Sequence, residues 1–218
     1  MTIALWYCPQ ASSTEHEILL QMITSINTMF PASTAFEPHV TIATHLKCNS
    51  QDDVDAILTA CVAAIRSIKD QLYSSGSGHT HNTVPLVSFN GCSIGKQYFK
   101  KVVLTCHENK FLLGLEQVMT ELYSSSKSTD STGFKPHVSL LYSDISPISK
   151  AFVRMIEERV EDALDVGLVP VSSSSGDTQI QWSFDREPTL RWGVPGTFKV
   201  VRCEGPVDEW EVLGSVDV

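Results

Sequence analysis

Apolar residues recur along this chain with two periods, and each period marks a kind of element. "TIALWY" is a continuous apolar and aromatic run stopped by Pro9, which reads as a first strand. Leu19, Met22, Ile23, Ile26 and Phe30 then recur at helical spacing up to Pro31, and Ser12 or Ser13 is placed to cap that helix. Residues 38–46 read as a short strand. Asn49 or Ser50 caps a second helix whose stripe is Val54, Ile57, Leu58, Cys61, Ile65, Ile68 and Leu72. The Gly- and Ser-rich "SSGSGHTHNT" reads as a loop, and residues 84–92 and 98–106 as a hairpin.

The same series then repeats. Leu112, Leu115, Met119 and Leu122 predict a helix, "SSSKSTDSTG" a polar loop, and "FKPHVSLLYS" a strand. Ser146 and Pro147 are positioned to start a further helix with Ile148, Phe152, Met155, Ile156 and Val160 on one face. "SSSSGD" reads as a loop, and short strands are expected near "QIQWSF", "TLRWGV" and "TFKVVRCE". Helix, strand, helix and hairpin thus occur twice, which predicts one α+β domain over 1–218 built as two pseudo-symmetric lobes, with the halves 1–106 and 107–218 as the lobes.

The repeat is most explicit in "FEPHVTIATH", residues 36–45, against "FKPHVSLLYS", residues 134–143. With 7 histidines in the chain, one His-x-[Ser/Thr]-apolar tetrapeptide is unremarkable. A second one inside the same frame of Phe, Pro and Val is a poor coincidence. Side chains two apart on a strand share a face, so His39 and Thr41 point together, as do His137 and Ser139. If the lobes face each other, two imidazoles and two hydroxyls converge. That set suits a phosphate diester: one neutral His takes a proton from water, one protonated His gives a proton to the leaving oxygen, and the hydroxyls hold phosphate oxygens. Histidine fits both roles because its reference pKa lies near 6.5. No metal or other cofactor is required.

Composition narrows the field. A hydrophobic fraction of 42% with 19% charged residues describes a soluble globular chain. The net charge of −9 argues against a partner of long nucleic acid and leaves a small phosphorylated ligand. The 6 cysteines form no C-x-x-C pair and read as reduced thiols, with a Cys92–Cys106 bridge between neighbouring predicted strands as the alternative. No signal-peptide pattern or membrane span is expected. The expectation is a cytoplasmic, intracellular monomer, with peripheral association at Golgi membranes as a compatible variant.

The paired "HVTI" and "HVSL" resemble the two tetrapeptides of the 2H phosphoesterase superfamily. "ALWYCP", "PHVTIA", "GKQYFKKVVL" and "PHVSLLYS", in this order, are similar to its fungal and plant branch of 2′,3′-cyclic-nucleotide 3′-phosphodiesterases. The resemblance implies antiparallel sheets lining a central cleft with helices outside. It implies hydrolysis of ADP-ribose 1″,2″-cyclic phosphate to ADP-ribose 1″-phosphate, downstream of tRNA splicing, and of nucleoside 2′,3′-cyclic phosphates to 2′-phosphates. His39, Thr41, His137 and Ser139 carry over as catalytic and phosphate-binding residues. Tyr142 matches a tyrosine beside the site, although plain strand alternation turns it away from His137, so a bend is required. Trp6 and Phe99 match aromatics near the nucleoside, where stacking is useful, with ordinary core packing as the alternative for each. The near-symmetric motif does not tell base from acid; His137 as water activator and His39 as acid is the working assignment. The competing readings are a 2H enzyme that processes RNA ends and a non-catalytic sensor of nucleotides or RNA ends. Lys96, Lys100, Lys101 and Lys135 are available to attract an anion. "GCSIGKQ" lacks the spacing and the Ser or Thr of a phosphate loop, His79 and His81 lack a third metal ligand, and Thr44 and His45 stay unassigned at the strand's end.

Overall fold

The computed structural model describes residues 2–68, 84–124, 133–172, 176 and 178–218. Leu72, His79 and His81, and most of the loops expected at 74–83, 124–133 and 172–177, lie outside these residues. The elements run β1 (Ile3–Pro9), α1 (Thr14–Asn27), β2 (Val40–Ala43), α2 (Gln51–Ser67), β3 (Val87–Gly95) and β4 (Val102–Cys106). They continue with α3 (Lys110–Tyr123), β5 (His137–Leu141), α4 (Lys150–Leu164), β6 (Leu168–Val171), β7 (Thr178–Phe184), β8 (Arg191–Trp192), β9 (Gly196–Arg202) and β10 (Glu211–Asp217). The α+β class stands.

The helices begin where side chains satisfy their first free N–H groups. Ser13 rather than Ser12 accepts from His16 N at α1. At α2, Ser50 and Asp53 form a reciprocal capping box. Asn109 caps α3. The start expected for α4 at Ser146 and Pro147 moves to Ser149, whose hydroxyl accepts from Phe152 N. The register of its apolar face moves with it: Val153, Ile156, Val160 and Leu164 are buried while Met155 is exposed. Leu122, on α3, is likewise exposed.

All strand pairs are antiparallel, in the order β10-β9-β1-β2-β5-β4-β3-β7-β6, with β8 beside β3. The expected hairpin therefore exists in a later register, its strands joined through a 3-10 turn at Tyr98–Lys100. β6 and β10 had no counterpart in the sequence pattern. β6 carries Pro170, which cannot donate to a ladder, and it lies at the sheet's edge.

The centre of the sheet is the junction of β2 and β5, joined through one register pair, Val40 opposite Val138. On one side lie β1, β9 and β10; on the other lie β3, β4, β6 and β7. These lobes are not the chain halves 1–106 and 107–218, because each draws strands from both. The helices cross as well: α1 packs on β5 and α4, while α3 packs on β2 and α2. Strand pairing is decided by tertiary contact, so element order alone could not show this interleaving.

Alternation along each strand sorts the residues into two faces. Leu5, Tyr7, Val40, Ile42, Leu104, Val138, Leu140, Phe198 and Val200 belong to the main core with the helices. On the opposite face Ala4, Trp6, Cys8 and Val201 form a small second cluster, with Cys203 and Trp210 packed against it. All 6 cysteines are free, so the reduced reading holds and no Cys92–Cys106 bridge forms.

Candidate active site

On the face away from the core, a cleft of about 730 Å³ opens over the β2–β5 junction. It is lined by His39, Thr41, His137, Ser139, Tyr142, Trp6 and Phe99, so every residue expected at the site lies in one cavity. The register explains the convergence. With Val40 opposite Val138, one step either way sets His39 against Ser139 and Thr41 against His137, all with side chains on the cleft face. Trp6 lies beside Thr41 on β1, and Val103 and Thr105 lie beside Ser139 and His137 on β4.

Each histidine is oriented by the same device. His39 Nδ1 lies 2.6 Å from the Glu37 carbonyl oxygen, and His137 Nδ1 lies 2.9 Å from that of Lys135. A carbonyl only accepts, so Nδ1 carries the hydrogen and Nε2 is left for chemistry. The proline between the two partners holds the preceding residue extended, which fixes where that carbonyl stands.

Both motif strands also carry the same irregularity. The β1–β2 register slips between Trp6 opposite Thr41 and Leu5 opposite Ala43, so Ile42 is an extra residue. The β4–β5 register slips between Val103 opposite Ser139 and Val102 opposite Leu141, so Leu140 is its equivalent. A bulge reverses the alternation beyond it. This is the bend that Tyr142 requires: its ring is buried in the cleft wall, and its hydroxyl meets that of Ser139. Burial pushes the Tyr142 hydroxyl well above its ordinary value, so it stays a hydrogen-bond donor at neutral pH. Thr44 and His45, left unassigned by the pattern, line the cleft for the same reason. His45 adopts a φ of 57°, with the next residue tied down by Leu46 N donating to Ile3 O at 3.1 Å.

The two histidines differ in their surroundings. His39 is 3% exposed, and burial, helped by His137 and Lys199, pushes its pKa down to about 4 against the hydrogen bond to Glu37. The Trp6 ring stacks on it at 3.7 Å between centroids and 10° between planes. Trp6 thus packs against the imidazole while belonging to the small buried cluster and lining the cleft. His137 is half-buried; burial, with Lys100, lowers its pKa against the hydrogen bond to Lys135.

Phe99 is 55% exposed on the 3-10 turn, whose position is fixed by Ser139 Oγ donating to Phe99 O at 3.1 Å and Ser143 N donating to Tyr98 O at 3.3 Å. Its ring stands 6.0 Å from Trp210 and 5.4 Å from Tyr142. Trp210 completes this aromatic wall, and sequence reasoning missed it. It sits at a short turn near the C-terminal end with no periodic pattern around it, and only the fold brings it to Trp6. Among the described residues no group of three or more His, Cys, Asp or Glu is arranged to hold a metal ion, and no helix is long and apolar enough to cross a membrane.

An antiparallel sheet backed by helices, with a histidine and a hydroxyl from each of two central strands facing one cleft, defines a 2H phosphoesterase. A family described as "Cyclic phosphodiesterase-like protein" matches residues 1–218, and the chain belongs to that family and is a hydrolase. It is 53% identical over 239 residues to a 2′,3′-cyclic-nucleotide 3′-phosphodiesterase of Saccharomyces cerevisiae, covering 100% of both chains. It is 40% identical to proteins of the same name from Eremothecium gossypii, covering 100% of both chains, and Kluyveromyces lactis, covering 100% of this chain and 99% of the relative.

Proposed function

We propose that this protein hydrolyses cyclic phosphates by two-histidine acid–base catalysis without a metal: ADP-ribose 1″,2″-cyclic phosphate to ADP-ribose 1″-phosphate, and nucleoside 2′,3′-cyclic phosphates to nucleoside 2′-phosphates, downstream of tRNA splicing. The observation that carries the reading is the opposed pair of His and hydroxyl side chains across the Val40–Val138 register. In the nucleoside case water attacks phosphorus, a new P–O bond forms and the bond to O3′ breaks. One imidazole Nε2 takes the proton from water, and the other gives its proton to O3′, which leaves as a hydroxyl. Thr41, Ser139 and the Tyr142 hydroxyl hold the non-bridging oxygens as charge builds on them.

We assign His39 as base and His137 as acid, the reverse of the working assignment. The support is burial: His39 is 3% exposed with its pKa pushed down to about 4, which favours its neutral form, whereas His137 is half-buried and nearer water. The reading extends to a monomer acting in the cytoplasm on a small diffusible substrate. Its test is turnover of ADP-ribose 1″,2″-cyclic phosphate and 2′,3′-cyclic AMP in EDTA from about pH 5 to pH 9. A bell-shaped, EDTA-resistant profile is expected. Binding without turnover would make the protein a sensor, and activity abolished by EDTA would end the metal-independent mechanism.

A further inference from the structure

The residue whose carbonyl orients the imidazole differs between the two motif segments. In the second it is Lys135, an exposed side chain. In the first it is Glu37, and Lys199 Nζ donates to both of its carboxylate oxygens, at 2.6 and 2.8 Å, from 162 residues away in the chain. The two side chains are 19% and 26% exposed, so their geometry is held more firmly than that of an ion pair at an open surface. Neither is among the described residues that line the cleft, and neither has a part in the proton transfers of the proposed reaction.

The sheet brings Lys199 to His39 by two routes. Lys199 lies opposite Trp6 in the β1–β9 ladder, where cross-strand neighbours share a face, so it is rooted beside the ring that covers the imidazole. Glu37 is the second route: its main chain accepts from His39 Nδ1 at 2.6 Å while Lys199 grips its side chain. Of the groups packed around His39, Lys199 from β9 and His137 from β5 both disfavour the imidazolium. Burial keeps the thiols of Cys8 on β1 and Cys203 beyond β9 protonated, and likewise the Tyr142 hydroxyl. From α1, His16 Nε2 lies 4.0 Å from Glu37 Oε1. Lys100, Lys135, His45 and Glu116 line the same cleft, and Lys100 acts on His137.

Resting on the proposed hydrolysis with His39 as base, we infer that Lys199 is a positioning residue for that base: by gripping the Glu37 carboxylate it fixes the carbonyl that holds Nδ1–H, and its charge keeps Nε2 free to take the proton of water. Burial alone does not do both. It disfavours a charged ring without choosing which nitrogen carries the hydrogen, whereas a fixed carbonyl makes that choice. Without Lys199 the Glu37 carboxylate would stand unpaired near the ring and favour the imidazolium, the wrong form for a base. The ammonium therefore cancels the one charge that the orienting residue brings with it.

The test titrates the His39 imidazole by NMR in wild type, Lys199→Gln, Lys199→Arg and the double variant Glu37→Gln/Lys199→Gln. It adds kcat and KM for 2′,3′-cyclic AMP in EDTA over the same pH range. Lys199→Gln should raise the His39 midpoint by about one pH unit, carry the acid limb of kcat upward with it, and lower kcat several-fold at neutral pH with little change in KM. Lys199→Arg should match wild type, and the double variant, which lacks both charges, should recover most of the shift. A midpoint that Lys199→Gln leaves in place, or that Lys199→Arg raises equally, overturns the inference. A midpoint that moves without the acid limb overturns it as well, since His39 is then not the base. If the wild type turns over no cyclic ester, the hydrolytic reading fails, and the NMR midpoints still decide whether Lys199 governs the proton of His39.

Discussion

Segments 36–45 and 134–143 share a proline-oriented imidazole, a hydroxyl two residues on, and a bulge at the next apolar residue, yet they hold their histidines in different environments. One is sealed between Trp6 and the sheet; the other is half-buried and feels the charge of Lys100. The comparison teaches that a repeated strand supplies two copies of one arrangement, while the flanking residues decide how far each copy is sealed from water.

The largest effects come from removing either tool. His39→Ala and His137→Ala should each lower kcat by roughly two to four orders of magnitude, the usual range for a positioned acid or base. Little or no loss in either one would show that the strands are not equivalent partners. The pH dependence of stability separates the two segments next. The folded pKa of His39, about 4, lies below the unfolded value, so its contribution is complete above about pH 6.5 and is lost as pH falls toward 4. By urea unfolding, wild type should lose on the order of 3 kcal/mol more than His39→Gln across that window. Equal slopes for the two proteins would mean His39 is not held neutral by burial.

Trp6 offers a finer test. Trp6→Leu should reduce kcat about tenfold and, by admitting water beside His39, move the acid limb of the rate profile to higher pH, while Trp6→Phe keeps most of both. A loss confined to KM in Trp6→Leu would return Trp6 to stacking on the base. The smallest change is Thr44→Tyr, which places beyond β2 the ring that Tyr142 supplies beyond β5. It should cut kcat/KM several-fold for the larger ADP-ribose 1″,2″-cyclic phosphate and less for 2′,3′-cyclic AMP, a difference read from initial rates.

Much of this was legible because it is local. The motif strands, the described helices and two of their caps, Ser13 and Ser50, rest on periodicity and on residues one turn apart. Tyr142 was legible only as a contradiction, an expected site residue on the wrong face, which the bulge at Leu140 resolves. What escaped depends on long-range pairing. Trp210 reaches the cleft through β9 and β10 folding back on β1, and no neighbour in sequence announces it. Thr44 and His45 lie beyond the last residue of β2, where alternation no longer predicts direction. The interleaved lobes follow from the order of strands, which a linear pattern does not contain.

The junction of β2 and β5 has a mechanical consequence. Every other strand pair is laced by at least two register positions, whereas here one, Val40 with Val138, holds the seam. The scissile phosphate would sit across that seam, gripped from one side by Thr41 and from the other by Ser139. A bound phosphate therefore acts as a rivet: it adds a load-carrying cross-link where the sheet is thinnest, and the amides of Val40 and Val138 should exchange more slowly with solvent when the cleft is filled.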